Sequence, residues 1–319
     1  MRTLIQTIAA SAALSAFAFA AHAQAYPTKP IRFVVAAAPG SGSDIIARYL
    51  ATRLSPILGQ PIVMENKPGA NSAIAAQYVA SSPPDGYTVM LAGSSTHAIG
   101  PALNPNLPYD PVRDFTPIGQ VGLTNAILIA NNNVPASNLK ELIEIARRGQ
   151  TQYASYGNGS AAHFCGEAIN KYARVKMQHI PYKTVPQIVT DVMAGHIGIG
   201  FVDQTTATAA VQSGKVKALG SCLSKPSTMP NVPSYQESGI DLDRSFRWLM
   251  SMPAGTPRPI VQRWSAALNE ELARPEVKAR MQEIGVDVEL IPNERLLQIL
   301  ASDAAFWKSF AHEAGIRAD

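Results

Sequence analysis

The chain has 319 residues, 46% hydrophobic and 16% charged, which is enough apolar material and length for two domains with cores of their own. Its formal charge of +4 is mild and its Lys and Arg residues are dispersed, which excludes nucleic acid as an expected partner. Cys165 and Cys222 are too few for a disulfide framework; they fit either one pair in an exported chain or two buried free thiols.

The first element is a leader. Arg2, an apolar run over 9–20 and the small-residue triplet Ala21-His22-Ala23 form the three-part pattern of a secretory signal peptide, so residues 1–23 are expected to be removed and the exported mature chain to start at Gln24. The run is shorter than the ~20 residues that span a bilayer, and no later segment approaches that length. Short β-branched runs then follow at 31–36, 62–65, 87–91, 118–121, 126–129 and 197–201, alternating with amphipathic stretches. That alternation predicts an α/β chain with largely parallel sheets. A first helix is expected from a Ser43 cap through Ile46, Tyr49, Leu50, Leu54 and Ile57 to Gly59. A second runs from a Ser137 cap through Leu139, Leu142, Ile143 and Ala146 to Gly149, and a third from Pro259 through Trp264, Leu268 and Leu272 toward Pro275. No period of 20 to 50 residues repeats.

Residues 34–48, VVAAAPGSGSDIIAR, join a strand to a helix through a glycine turn. The turn lacks the lysine of a phosphate loop, and Ile45 stands where a dinucleotide fingerprint wants its third glycine. Two readings stay open: a seat of converging backbone N–H groups for some small anion, or a plain tight turn. A second strand, Gly/Ser-rich turn and helix occurs at 153–163, so two such turns suggest a cleft gripped from both sides. Catalysis finds little support. Ser137 and Lys140 have a Ser-x-x-Lys spacing without the strings that accompany it in penicillin-binding enzymes, and no Gly-x-Ser-x-Gly elbow exists. The five histidines beyond the leader (His97, His163, His179, His196, His312) show no i, i+4 pair or cysteine cluster, so no metal is expected. Asp44 and Asp203 are isolated acids of the kind that usually cap helices or face solvent.

Several ordered strings are more specific: Tyr26-Pro-Thr-Lys-Pro-Ile-Arg32, Pro39-Gly-Ser-Gly-Ser-Asp44, Glu65-Asn-Lys-Pro-Gly69, Pro84-Asp-Gly-Tyr87, Leu107-Pro-Tyr-Asp-Pro111, His179-Ile-Pro-Tyr-Lys183 and Pro253-Ala-Gly-Thr-Pro257. Together with 153–163 they resemble the Bug family, the substrate-binding proteins of tripartite tricarboxylate transporters, over essentially the whole mature chain. The resemblance implies a type II periplasmic-binding-protein fold: two α/β domains, joined by two crossover strands, that close over a small carboxylate. It implies a discontinuous first domain, 24–123 plus 246–319, and a second domain at 124–245. It also implies a ligand carboxylate held through backbone amides and ordered waters at two facing turns. By position these are Pro39, Gly40 and Ser41 with Ser94, Thr96 and His97 on one side. On the other stand Ala154, Ser155, Gly157, Asn158, Gly159, Ser160 and Asp203. Asp203 is expected to orient a water, a backbone N–H or a protonated ligand group, and His163 to cap a helix or touch ligand.

Two departures from the family pattern bear on the ligand. Ala36-Ala37-Ala38-Pro39-Gly40-Ser41 stands where the family usually writes Pro-Phe-Ala-Pro-Gly-Gly, leaving room for a larger ligand. Arg247-Trp248 stands where it usually writes Trp and a second aromatic, so Arg247 is either a distal cation for a second carboxylate or a solvated surface group. The expected function is a monomeric, cofactor-free receptor that delivers a dicarboxylate, with terephthalate the leading case, to the subunits of a membrane transporter. A sensor partner of a membrane kinase and a secreted hydrolase are the alternative classes.

Overall fold

The computed structural model describes residues 26–104, 106–222, 228–242 and 244–316. The expected signal peptide lies outside the described residues. In chain order the elements are β1 (Ile31–Val35), α1 (Gly42–Leu58), β2 (Ile62–Asn66), α2 (Ala73–Ala80), β3 (Thr88–Gly93), α3 (Gly100–Leu103), β4 (Phe115–Thr124), β5 (Ala126–Asn131), α4 (Leu139–Arg148), β6 (Gln152–Ser155), α5 (Ala161–Ala173), β7 (Gln178–Pro181), α6 (Val185–Ala194), β8 (Ile199–Asp203), α7 (Gln204–Gln212), β9 (Val216–Ser221), β10 (Phe246–Pro253), α8 (Arg258–Ala273), α9 (Pro275–Glu283) and α10 (Asn293–Ala314).

The strands form two five-stranded sheets, ordered β2-β1-β3-β10-β4 and β7-β6-β8-β5-β9. In the first, β1 runs parallel to β2 and β3, whereas β10 is antiparallel to both β3 and β4. In the second, β6 is parallel to β7 and β8, whereas β5 is antiparallel to β8 and β9. The sheets are therefore mixed rather than largely parallel. The antiparallel strands β5 and β10 lie where the chain enters one domain and returns to the other, and a crossover strand takes its direction from the passage between domains. The expected two-domain α/β architecture is the one present.

In the first domain, α1 lays Ile46, Leu50, Leu54 and Leu58 over Ile31, Phe33 and Val35 of β1. It ends as expected at Gly59, whose φ of 81° lies in the left-handed region and whose N–H bonds Ser55 O. Its first cap position is Ser41 rather than Ser43, and at α4 Asn138 rather than Ser137 accepts the capping N–H, from Glu141 at 3.0 Å. The two serines miss by one or two residues because the helices start where the backbone leaves the extended region, not at a given hydroxyl.

Asn125 alone separates β4 from β5, so one crossover between the sheets is a single residue long. The last helix ties the domains together a further time. Leu296 and Leu300 of α10 pack in a first-domain cluster with Val34, Ala92 and Leu249, while Trp307, Phe310 and Ala311 join the cluster of Phe164, Phe201 and Tyr153. The end of α10 thereby packs against residues of the second domain. Cys165 on α5 and Cys222 after β9 are paired, with Cα atoms 5.6 Å apart. Among the described residues no helix is long and apolar enough to cross a membrane.

Candidate functional site

Between the domains lies a cleft of about 810 Å³, within the usual range for small-ligand sites. Its walls come from the two strand–turn–helix segments, from the turn after β3, from the crossovers at Thr124-Asn125 and Phe246-Trp248, and from two outer loops at 68–73 and 181–185.

The first jaw follows β1. Gly40 has φ +80°, a conformation that glycine adopts without penalty. Its N–H donates to Asp44 Oδ2 at 2.9 Å, and Ser41 N–H donates to Ala38 O at 3.2 Å. Asp44 also accepts from Arg48 Nε at 2.9 Å and Asn66 Nδ2 at 3.0 Å. Burial alone would raise its carboxyl; the bonds from Arg48, Gly40 and Asn66 outweigh it and hold the group below its ordinary range. The turn is thus internally tied. Pro39 and Gly40 are exposed and lie off the cleft wall, because Asp44 already holds the Gly40 amide. What this jaw presents is Ala36, Ala37 and Ala38 with the Ser41 and Ser43 hydroxyls, whose Oγ atoms lie 3.3 Å apart.

Beside it, Ser94 and Thr96 line the cleft with Ser95, which the sequence reading missed. Ser94 Oγ also accepts from Arg247 N–H at 3.0 Å. His97 turns away. Its Nδ1 lies 2.8 Å from Pro111 O, its ring meets the Phe115 edge at 5.1 Å, and burial pushes it down to about 4. It sits as a buried, neutral histidine behind the turn, outside the cleft lining.

On the second jaw, Gly157 and Asn158 line the cleft, whereas Ala154, Ser155, Gly159 and Ser160 sit behind it. Their work is to hold the turn. Ser160 Oγ caps α5 by accepting from His163 N–H at 3.2 Å, and Gly159 N–H donates to His163 Nδ1 at 3.0 Å. The His163 ring stacks on His179 at 3.9 Å, and burial together with that neighbour pushes His163 down to about 3. Of its two expected roles, His163 fills the structural one. Ser155 Oγ lies 2.6 Å from His179 Nε2, a serine–histidine contact that spacing did not reveal. Ser155 Oγ also lies 3.0 Å from Gly157 O, so the hydroxyl is held within its own turn. Ser155 is also fully buried and does not reach the cleft.

The jaws meet. Asp203 caps α7 by accepting from Thr206 N–H at 2.9 Å and Thr206 Oγ1 at 3.0 Å, and it also accepts the Gly42 N–H at the start of α1 in the other domain. One carboxylate thereby sits between the positive ends of two helices. Burial raises its carboxyl, and the hydrogen bonds from Thr206 and Gly42 pull against that rise. Asn71, in the outer loop with φ 46°, donates across the cleft to Gly159 O at 2.7 Å. Arg247 belongs to the wall, but its guanidinium faces Gln120 Oε1 at 3.2 Å, Glu289 Oε2 at 3.4 Å and Asp303 Oδ2 at 3.9 Å. It is a largely buried group with carboxylates of Glu289 and Asp303 beside it. Tyr156, Asn71, Leu103 and Lys183 line the cleft and were missed as site residues, although Lys183 stands in one of the family-like strings.

A family model described as the tripartite tricarboxylate transporter family receptor matches residues 46–316. A UPF0065 protein of Bordetella bronchiseptica is 35% identical over 268 residues, covering 83% of this chain and 80% of that protein. Among solved structures, the periplasmic binding protein BugD is 31% identical with a TM-score of 0.84, over 92% of this chain and 99% of BugD. The R. palustris protein Rpa4515, solved with adipate, is 26% identical with a TM-score of 0.87, over 92% of this chain and 99% of its own. With that span of sequence and a shared two-domain cleft, the chain belongs to the family of tripartite tricarboxylate transporter receptors.

Proposed function

We propose that the protein is a periplasmic receptor, exported by the leader at 1–23, that captures a dicarboxylate between its domains and delivers it to the membrane subunits of a tripartite transporter. The observation that carries this reading is the cleft itself, about 810 Å³ in a chain of this family, lined by serine and threonine hydroxyls and by apolar side chains. Ser41, Ser94, Ser95, Thr96 and Thr124 supply donors that orient a carboxylate, while Leu91, Leu103, Phe246 and Trp248 shape the space around its carbon skeleton. The adipate held by Rpa4515 supports a ligand with two carboxylates. Alanine at 36, 37 and 38 leaves the first jaw without a ring, which favours a flat, wide skeleton; terephthalate is the leading ligand. Closure of the jaws over the anion links affinity to the population of the closed state. Calorimetric titration with terephthalate, adipate, malate and benzoate tests the assignment. Saturable 1:1 binding of terephthalate ahead of the others is expected, and binding of none of them would overturn the receptor reading.

A further inference from the structure

Among the described residues, three charged side chains line the cleft: Asp203, Arg247 and Lys183. Asp203 already accepts from Thr206 and Gly42, and Arg247 already lies beside Glu289 and Asp303. Lys183 differs from both. It stands on the loop between β7 and α6, it is exposed, and it has no ion pair or hydrogen bond among the described residues. The loop beneath it is fixed: Tyr182 N–H donates to Ser155 O at 2.8 Å, and Tyr182 OH donates to Asp191 Oδ2 at 2.8 Å. An ammonium without an ion pair or hydrogen bond, on an anchored loop at the wall of the cleft, attracts anions to that spot.

We propose that Lys183 is the cation that takes the outer anionic group of the ligand, which makes the site selective for elongated dianions over monoanions. The proposal rests on the dicarboxylate reading given above. One carboxylate lies against the hydroxyls of the inner turns, and the second extends toward Lys183. A lysine suits this place, because its flexible stem follows the ligand as the jaws close and its compact charge needs no fixed fork geometry. The distal-cation role, one of the two readings open for Arg247, thereby passes to a residue on the opposite domain.

The test compares wild type, Lys183→Met and Lys183→Arg by calorimetric titration, using terephthalate and adipate against their monoacid counterparts benzoate and hexanoate, at low and high ionic strength. Lys183→Met should weaken the diacids about fivefold, the scale of an exposed ion pair, leave the monoacids unchanged and remove most of the salt dependence. Lys183→Arg should restore diacid affinity. Ligand-free melting temperatures should agree among the three proteins, since no hydrogen bond or ion pair among the described residues rests on the side chain. Diacid binding by wild type with no loss in Lys183→Met, or an equal loss for diacids and monoacids, overturns the role of Lys183 and leaves the receptor reading standing. No binding of any of these acids to wild type overturns both.

Discussion

Gly42 is where closure can be blocked without touching ligand chemistry. It is the first residue of α1 and carries no left-handed φ, so alanine fits its backbone. A Cβ placed there lies 1.9 Å from Asp203 Oδ1, 2.6 Å from Asp203 Cγ and 2.9 Å from Thr205 Cβ, all in the other domain. Ordinary contact begins near 3.4 Å, so the jaws of Gly42→Ala must part by about 1.5 Å or Asp203 must swing aside. Swinging gives up the α7 cap, about 1 kcal/mol, and the charge-assisted bond from Gly42, about 1.5–3 kcal/mol. A closed state disfavoured by about 3 kcal/mol weakens a ligand that needs it roughly 100-fold. Calorimetric titration with terephthalate and adipate measures that loss, and small-angle scattering of the same samples reports whether the envelope contracts. The melting temperature of each domain should hardly move. Wild-type affinity together with wild-type contraction in Gly42→Ala would refute the claim that Gly42 and Asp203 form the closure contact.

Two further outcomes concern the folded state. The bond between Cys165 and Cys222 spans 57 residues, and chain-entropy arguments give it about 4 kcal/mol of stability; denaturant titration of the paired Cys165→Ser, Cys222→Ser variant should show most of that loss, and an unchanged midpoint would mean that the bridge contributes nothing. His97 and His163 are held neutral, pushed down by burial to about 4 and about 3, while the unfolded chain takes up protons near 6.5. The folded pKa values are depressed, so stability is full above about pH 6.5 and falls by several kcal/mol as pH drops toward 3. Thermal melts across that window check the sign, and a melting temperature that rises on acidification would contradict it.

Much of the fold was legible because β-branched runs and 3.6-residue stripes report burial directly. All six residues of β3 are buried, and α1 ends at its glycine as read. Strand direction was not legible, since the pairing of β10 with β3 joins residues more than 150 positions apart. The site was legible to the level of its turns but not of its donors. Gly40 looked like an open amide, yet Asp44 four residues on takes it, and that reading was within reach of the local sequence. Arg247 was harder, because Asp303 and Glu289 come to it from α10 and the segment before it, 42 and more residues away. The double packing of α10 was likewise hidden, as one apolar stripe does not say that its two halves cover different domains.

The central claim is that the cleft closes on a dicarboxylate. The most direct measurement is the melting temperature of the mature chain against terephthalate, adipate and benzoate in rising concentration. A ligand that binds only the folded state adds about 2.7 kcal/mol at one hundred times its Kd, so both diacids should raise the melting temperature progressively and benzoate far less. A melting temperature that stays flat with every acid would contradict the claim.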